Sequence, residues 1–166
     1  VRTKSDINNS LNKNNGEEHE TTGTSYMQIG IICYRLEKYQ EAIDNFQKSL
    51  KIYSDTYGKN HQNVAQIYNN IGASLEKQNK YNEALDYQQK ALEIRLKCLD
   101  PHNELLAQSY SNIGSIYDNT EKYLDALNYY QKALEILLKI YDENHSDVKE
   151  TKDKIEFLKS KMQANK

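Results

Sequence analysis

The sequence predicts an all-α solenoid of antiparallel helix pairs ending in a capping helix, on three observations. The phrase Tyr-x-x-Ile-Gly occurs three times, as YMQIG ending at Gly30, YNNIG at Gly72 and YSNIG at Gly114, with a constant spacing of 42 residues. A fixed period of this length marks a stacked repeat architecture. Apolar residues within each period recur at helical spacing, as Ala84, Tyr87, Ala91 and Ile94 do. Only 37% of the chain is hydrophobic, and that share includes fourteen tyrosines. Such a composition cannot fill a thick core, but a solenoid buries each apolar face only against its neighbours.

Residues 1–22 are rich in Asn, Ser, Lys and Glu and read as a polar linker or disordered arm. Alternatively they are the tail of a decayed preceding repeat. NNGEEHETTGTSY aligns with TYGKNHQNVAQIY at the same offset, matching Gly16 to Gly58, His19 to His61 and Tyr26 to Tyr68.

Three helix pairs follow, over about 23–63, 64–105 and 106–147. Their register holds at Tyr26, Tyr68 and Tyr110, at Tyr39, Tyr81 and Tyr123, and at Ala42, Ala84 and Ala126. It holds again at Ser49, Ala91 and Ala133 and at Ile52, Ile94 and Ile136. One aromatic column is imperfect, because Phe46 and Tyr130 flank Gln88. Each repeat breaks at LEKYQ, KQNKYN or NTEKYL, which divides it into a helix A and a helix B. The turns between repeats contain His61 and His145, read as turn or capping residues, with Asn63 and Asp147 as N-caps of the next helices. Repeat two has His102 and Asn103 in transposed order.

Over 148–166 the stripe Val148, Thr151, Ile155, Leu158 and Met162 runs through a segment otherwise dominated by Lys and Glu. A helix with one apolar stripe and a solvated remainder is the expected cap of a solenoid. Glu156 stands where the repeat glycine would recur, so no paired helix B is expected after it.

The order of a bulky residue, Ile-Gly, Tyr, Ala and Ala resembles the tetratricopeptide repeat, whose usual period is 34 residues. Gly30, Gly72 and Gly114 take that family's glycine place, while its following tyrosine survives only as Tyr117, with Cys33 and Leu75 in the other repeats. The resemblance implies a right-handed superhelix in which small residues of helices A and B face each other, so that a side chain at the glycine would force the pair apart. The proline that ends helix B in the family is absent, with Ser54, Leu96 and Leu138 in its place. Helix B is thus free to run on to Tyr57, Leu99 and Tyr141, the eight extra residues adding roughly 12 Å of helix. With the turns YGKNHQNVA and YDENHSDV, this is similar to the 42-residue subclass found in kinesin light chains, over roughly residues 24–148.

No Gly-rich phosphate loop, HExxH or CxxC occurs, so neither catalysis, a metal site nor a cofactor is expected. Cys33 and Cys98 lie far apart within helical patterns and read as plain thiols. The net charge of −2 gives no electrostatic footprint for nucleic acid or an anionic membrane. No apolar run approaches the roughly 20 residues that cross a bilayer, and the first residues lack a signal-peptide core. A cytoplasmic chain is the expectation. It opens on Val1 rather than Met, as expected of a segment of a longer protein.

The resemblance further implies a protein or peptide partner bound on the concave face lined by the A helices. Carried over relative to each glycine, that face comprises Met27, Gln28, Ile31, Tyr34 and Arg35 in repeat one. Repeat two supplies Gln66, Asn69, Asn70, Ala73, Glu76 and Lys77, and repeat three Gln108, Ser111, Asn112, Ser115, Asp118 and Asn119. Asn70 and Asn112 stand two residues before glycine, where relatives use an amide to bond a ligand's backbone; an amide offers both donor and acceptor. Relatives that clamp a terminal carboxylate carry Lys or Arg three residues before the glycine and often just after it. Here those places hold Met27, Asn69 and Ser111, then Ile31, Ala73 and Ser115, which disfavours such a clamp. Arg35 and Lys77 balance Glu76 and Asp118, so a mostly neutral peptide with apolar anchors and a weak salt dependence is expected. The alternatives are a regulatory or sensory segment of a multidomain signalling protein, or a structural solenoid that self-associates end to end through its uncapped first repeat.

Overall fold

The computed structural model describes residues 4–164, with side chains from His19 onward. Among the described residues there are seven α-helices and no strand: α1 Lys4–Arg35, α2 Tyr39–Tyr57, α3 Gln62–Lys77, α4 Tyr81–Cys98, α5 Glu104–Asn119, α6 Tyr123–Ile140 and α7 Ser146–Ala164. They form the pairs α1/α2, α3/α4 and α5/α6, with α7 laid against α6. Beyond sequence neighbours, α1 touches α3 and α3 touches α5. The A helices therefore form the tighter, inner layer of the array.

The backbone itself marks the end of each A helix. Glu37, Asn79 and Glu121, spaced 42 apart, adopt φ of 60°, 59° and 59°. In each case the next residue's N–H returns to a carbonyl five residues back, as Lys38 to Cys33, Lys80 to Leu75 and Lys122 to Tyr117. This is the left-handed closure that satisfies the last carbonyls of a helix, and it turns the chain directly into helix B. At the other junction the helix begins on a side-chain acceptor. Nδ1 of His61 accepts from the N–H of Asn63 at 3.2 Å, and Nδ1 of His145 from that of Asp147 at 3.3 Å. The caps are thus the histidines, not Asn63 and Asp147, which are donors two residues inside the cap. In the transposed repeat, Asn103 takes the same place and accepts from Leu105 N at 2.9 Å.

Residues 4–22, expected as part of a polar linker or of the tail of a decayed repeat in which Gly16 aligns with Gly58, are helical backbone continuous with the first A helix. The offset to Gly58, which does turn with φ 84°, does not carry over. Residues 4–22 contain no proline, and one internal glycine costs a helix only about 1 kcal/mol. Residues 1–3 lie outside the described residues.

Each repeat glycine meets a large side chain rather than a small one. A Cβ on Gly30, Gly72 or Gly114 would come within 2.5, 2.8 or 3.0 Å of Phe46, Gln88 or Tyr130. The expected small-on-small contact is replaced by a window in helix A, filled from helix B. Ala42, Ala84 and Ala126 are fully buried beside it, and Ile67, Ile71 and Ile113 bury completely between repeats, each worth about 1.5–3 kcal/mol relative to exposure. On α7, Val148, Thr151, Ile155 and Leu158 are buried and Met162 is half-buried.

Candidate functional site

The inner layer carries two hollows. The first, of about 510 Å³, is lined by Met27, Ile31, Tyr34 and Arg35 of α1, Phe46 of α2, and Gln66, Asn70 and Ala73 of α3. Its lining is mainly apolar. Phe46 reaches the floor through the window at Gly30, which is why a helix B residue appears there. Burial holds the Tyr34 phenol above its usual value of 10.0, with nearby Lys77 opposing the shift. The second hollow, of about 270 Å³, is polar and lies between α5 and α7, lined by Glu104, Gln108, Ser111 and Asn112 with Asp147, Glu150, Thr151 and Lys154.

The residues expected on this face divide three ways. Met27, Ile31, Tyr34, Arg35, Gln66, Asn70 and Ala73 converge on the first hollow, and Gln108, Ser111 and Asn112 on the second. Gln28 and Lys77 are exposed and line neither. Asn69 is 6% exposed and faces inward. Its Oδ1 accepts from Asn112 Nδ2 at 2.8 Å, and its carbonyl accepts from Gln88 Nε2 at 3.0 Å. Ser115 and Asn119 are turned toward repeat two, donating to Oε1 of Glu76 at 2.6 and 2.9 Å. Asp118 lies 3.8 Å from Lys161 Nζ. The two acids expected to balance Arg35 and Lys77 are therefore engaged on the repeat-three side, and no ion pair among the described residues holds either cation.

Between the hollows sits Arg95 of α4, 1% exposed. Its Nη1 donates to the Leu105 carbonyl at 2.9 Å, Ser109 Oγ at 2.7 Å and Gln108 Oε1 at 3.4 Å; Nη2 donates to Gln66 Oε1 at 3.1 Å. Every acceptor is uncharged. Burial alone pulls the guanidinium down to about 10, since it disfavours the charged form. Gln66 passes the contact on, its Nε2 donating to Asn70 Oδ1 at 3.1 Å.

Phe46 and Arg95 escape a reading confined to the A helices. Signals for both exist in the columns. Phe46 belongs to the imperfect aromatic column, and Arg95 interrupts the column of Tyr53 and Leu137 with a charge.

The family model for the tetratricopeptide repeat matches residues 21–97 and again 63–139, well over half the chain. The chain belongs to the tetratricopeptide-repeat family. A search of curated proteins finds no match. Among solved structures, the fold resembles BtubC (BKLC) from P. vanneervenii, with a TM-score of 0.76, 20% identity, and cover of 82% of this chain and 54% of that one. It also resembles the apo form of RapI, at 0.75 and 23%, covering 87% and 50%. A putative kinesin light chain with nearly identical TPR-like repeats from Podosopora anserina gives 0.75 and 14%, covering 85% and 67%. This tetratricopeptide chain spans about half the length of the first two. Tetratricopeptide repeats are protein-interaction modules and generally non-catalytic. No helix among the described residues is long and apolar enough to cross a membrane.

Proposed function

We propose that this tetratricopeptide array is a non-catalytic scaffold that binds an extended peptide segment of a partner protein along its inner face. A bulky apolar side chain of that segment enters the hollow between repeats one and two. The observation that carries this reading is the apolar floor of Met27, Ile31 and Phe46 set beside the amides of Gln66 and Asn70. Apolar enclosure with a few convergent polar groups is the composition of a ligand site, and an amide can bond a main chain that offers no other handle. The test is a random-peptide display selection on the chain and on Ala73→Leu, which fills the hollow without touching an amide. A shared short motif with a bulky apolar residue, enriched by the native chain and lost in the variant, supports the reading. Absence of enrichment, or equal enrichment by both, defeats it.

A second reading rests on one contrast. Ile29 is 44% exposed on the outer face of repeat one, whereas its equivalents Ile71 and Ile113 are 0% exposed beneath the preceding repeat. Ile32 and Leu36 continue the exposed stripe. That face has the character of an inter-repeat surface, and a further repeat, from a second copy or from a longer chain, would bury it. Sedimentation at several concentrations, with Ile29→Lys and Ile32→Lys as controls, detects association of copies.

A further inference from the structure

One helical turn before the exposed Ile29, α1 borders a hollow of about 560 Å³ lined by Glu20, Thr21, Thr24 and Ser25. Two repeats on, the last three of these columns hold Leu105, Gln108 and Ser109, the residues that receive Arg95. The match extends to hydrogen bonds. Ser25 Oγ donates to the Thr21 carbonyl at 2.8 Å, as Ser109 Oγ does to that of Leu105 at 3.1 Å. The Tyr57 hydroxyl donates to Glu20, as that of Tyr141 does to Glu104. In α5 the serine oxygen and the Leu105 carbonyl both accept from Arg95 Nη1, at 2.7 and 2.9 Å. The other A helices differ where their neighbour differs. Ile67 stands in the serine column of α3 and shares an apolar cluster with Tyr53, while Thr151 of α7 follows Leu137. Repeat one thus carries the face that repeat three uses to take a guanidinium. Its apolar part agrees, since Ile71 and Ile113, and Ser74 and Ile116, are buried in the columns where Ile29 and Ile32 are exposed.

We infer that the outer face of repeat one docks an amphipathic helix of a partner protein, laid against α1 as α4 lies against α5. Its apolar stripe covers Ile29, Ile32 and Leu36, and an arginine enters the hollow at Ser25. This deepens the second reading above and rests on it. A guanidinium has only donors to offer; the serine oxygen and the Thr21 carbonyl supply acceptors, and the Glu20 carboxylate at the rim favours a cation. The helix comes from another protein. α1 is helical without a break from Lys4, so residues 4–18 run in line with it instead of lying across its face. A second copy offers no match. The exposed side of its α7 is dominated by charge, with Lys149, Asp153, Glu156 and Lys159. Arg35, the other arginine among the described residues, lines the inner hollow.

Two synthetic peptides serve as probes: residues 80–99, which carry the α4 sequence with its arginine, and residues 38–57, which carry the α2 sequence with Tyr53 in that place. Each is titrated into the full chain and followed by NMR at Ile29 and Ile32. The α4 peptide is expected to bind, and the α2 peptide to bind at least about tenfold more weakly. Arg95→Met in the peptide is expected to cost about tenfold, the loss of a hydrogen bond from a charged group. Ser25→Ile in the chain, an exposed position whose substitution leaves the fold intact by thermal melting, is expected to cost the α4 peptide about as much. It should also abolish the effect of Arg95→Met and reverse the preference between the two peptides. If the peptides bind alike, or the two losses simply add, the arginine assignment fails while the face remains an inter-repeat surface. If neither peptide binds, or Ile32→Lys leaves binding unchanged, the second reading falls with the inference. A mass that rises with concentration in the chain alone, and stays that of a monomer in Ile32→Lys, would assign the face to a second copy and overturn the partner helix. The inner-face reading is untouched by all of these outcomes, because neither Ser25 nor Ile32 lines either inner hollow.

Discussion

Phe46 lies against Gly30 so closely that a Cβ on the glycine would fall 2.5 Å from the ring's Cε1. Both residues are buried, and Cε1, Cδ1 and Cζ of the ring all lie within 3.0 Å of the added Cβ, so the whole ring would have to shift rather than the tip of a flexible chain. Gly30→Ala should therefore destabilise the chain by about 1–3 kcal/mol despite the better helix propensity of alanine. Gly72→Ala meets the end of a flexible Gln88 side chain at 2.8 Å and should cost less. Urea denaturation of the two variants ranks them, and the reverse order would show that the window is not what keeps Gly30.

Gln88 fills the middle window with a fully buried amide whose Oε1 has no hydrogen-bond partner. An orphaned buried acceptor costs about 1–3 kcal/mol, offset here by the bond from Nε2 to Asn69. Gln88→Met, of similar volume, should leave stability within about 1 kcal/mol of the native chain. A larger loss in thermal unfolding would show that the amide has a structural role beyond filling space.

The histidine caps give a sharper contrast. His145 accepts the Asp147 N–H and stacks on Tyr141, with ring centroids 3.8 Å apart. His145→Ala should cost roughly 0.5–2 kcal/mol through the lost cap, while His145→Asn, the choice repeat two makes at Asn103, should recover most of it. If the two variants melt alike, the cap contributes little and the ring stack dominates.

At the A-to-B turns the chain places glutamates at positive φ, where an L side chain is strained. Glu121→Asn should raise stability by about 0.5 kcal/mol, because Asn tolerates this region and already occupies it at Asn79. A shift in the denaturation midpoint without a change in slope would report it; a fall would mean that the Glu121 side chain makes a compensating contribution.

Burial also holds the Tyr130 phenol well above its usual 10.0, with Asp118 and Glu76 adding to the effect. The unfolded chain ionises this group first, so stability is unaffected below about pH 10 and falls as pH rises beyond it. Arg95 acts in the opposite sense, since its lowered value makes folding relatively easier as pH rises past about 10. Comparing Tyr130→Phe with the native chain at pH 8 and pH 11 isolates the phenol. The variant should lose less stability over that interval.

The repeat, its 42-residue period and the division into helices A and B could be read directly from Tyr26, Gly30, Tyr39 and Ala42 and their successors, because packing symmetry leaves its trace at fixed positions. What the period could not convey was the identity of partners across it. The columns 46, 88, 130 and 53, 95, 137 each change chemistry between repeats, and only the packed structure shows Phe46 reaching the inner face and Arg95 lying between two A helices. Asn69 and Asn70 look alike in sequence, and helix rotation alone sends one inward and leaves the other in the groove. The capping role of His61 and His145 was legible from their recurrence in the inter-repeat turns, but Asn63 and Asp147, with side chains common at N-caps, stand two residues ahead and were read as the caps as well; in the structure they are the N–H donors that Nδ1 accepts from. The helical start of the chain was masked by a composition that favours solvent without forbidding a helix.

Contacts in this array run mostly between helices adjacent in sequence, with lighter touches from α1 to α3, from α3 to α5 and, through Asp118 and Lys161, from α5 to α7. Mechanically the molecule is a leaf spring. Among the described residues no strut crosses from one end to the other, so small rotations at each joint would add along its length and open or tighten the inner curve. A ligand seated in the hollow between repeats one and two would bridge such a joint and stiffen the spring at that point.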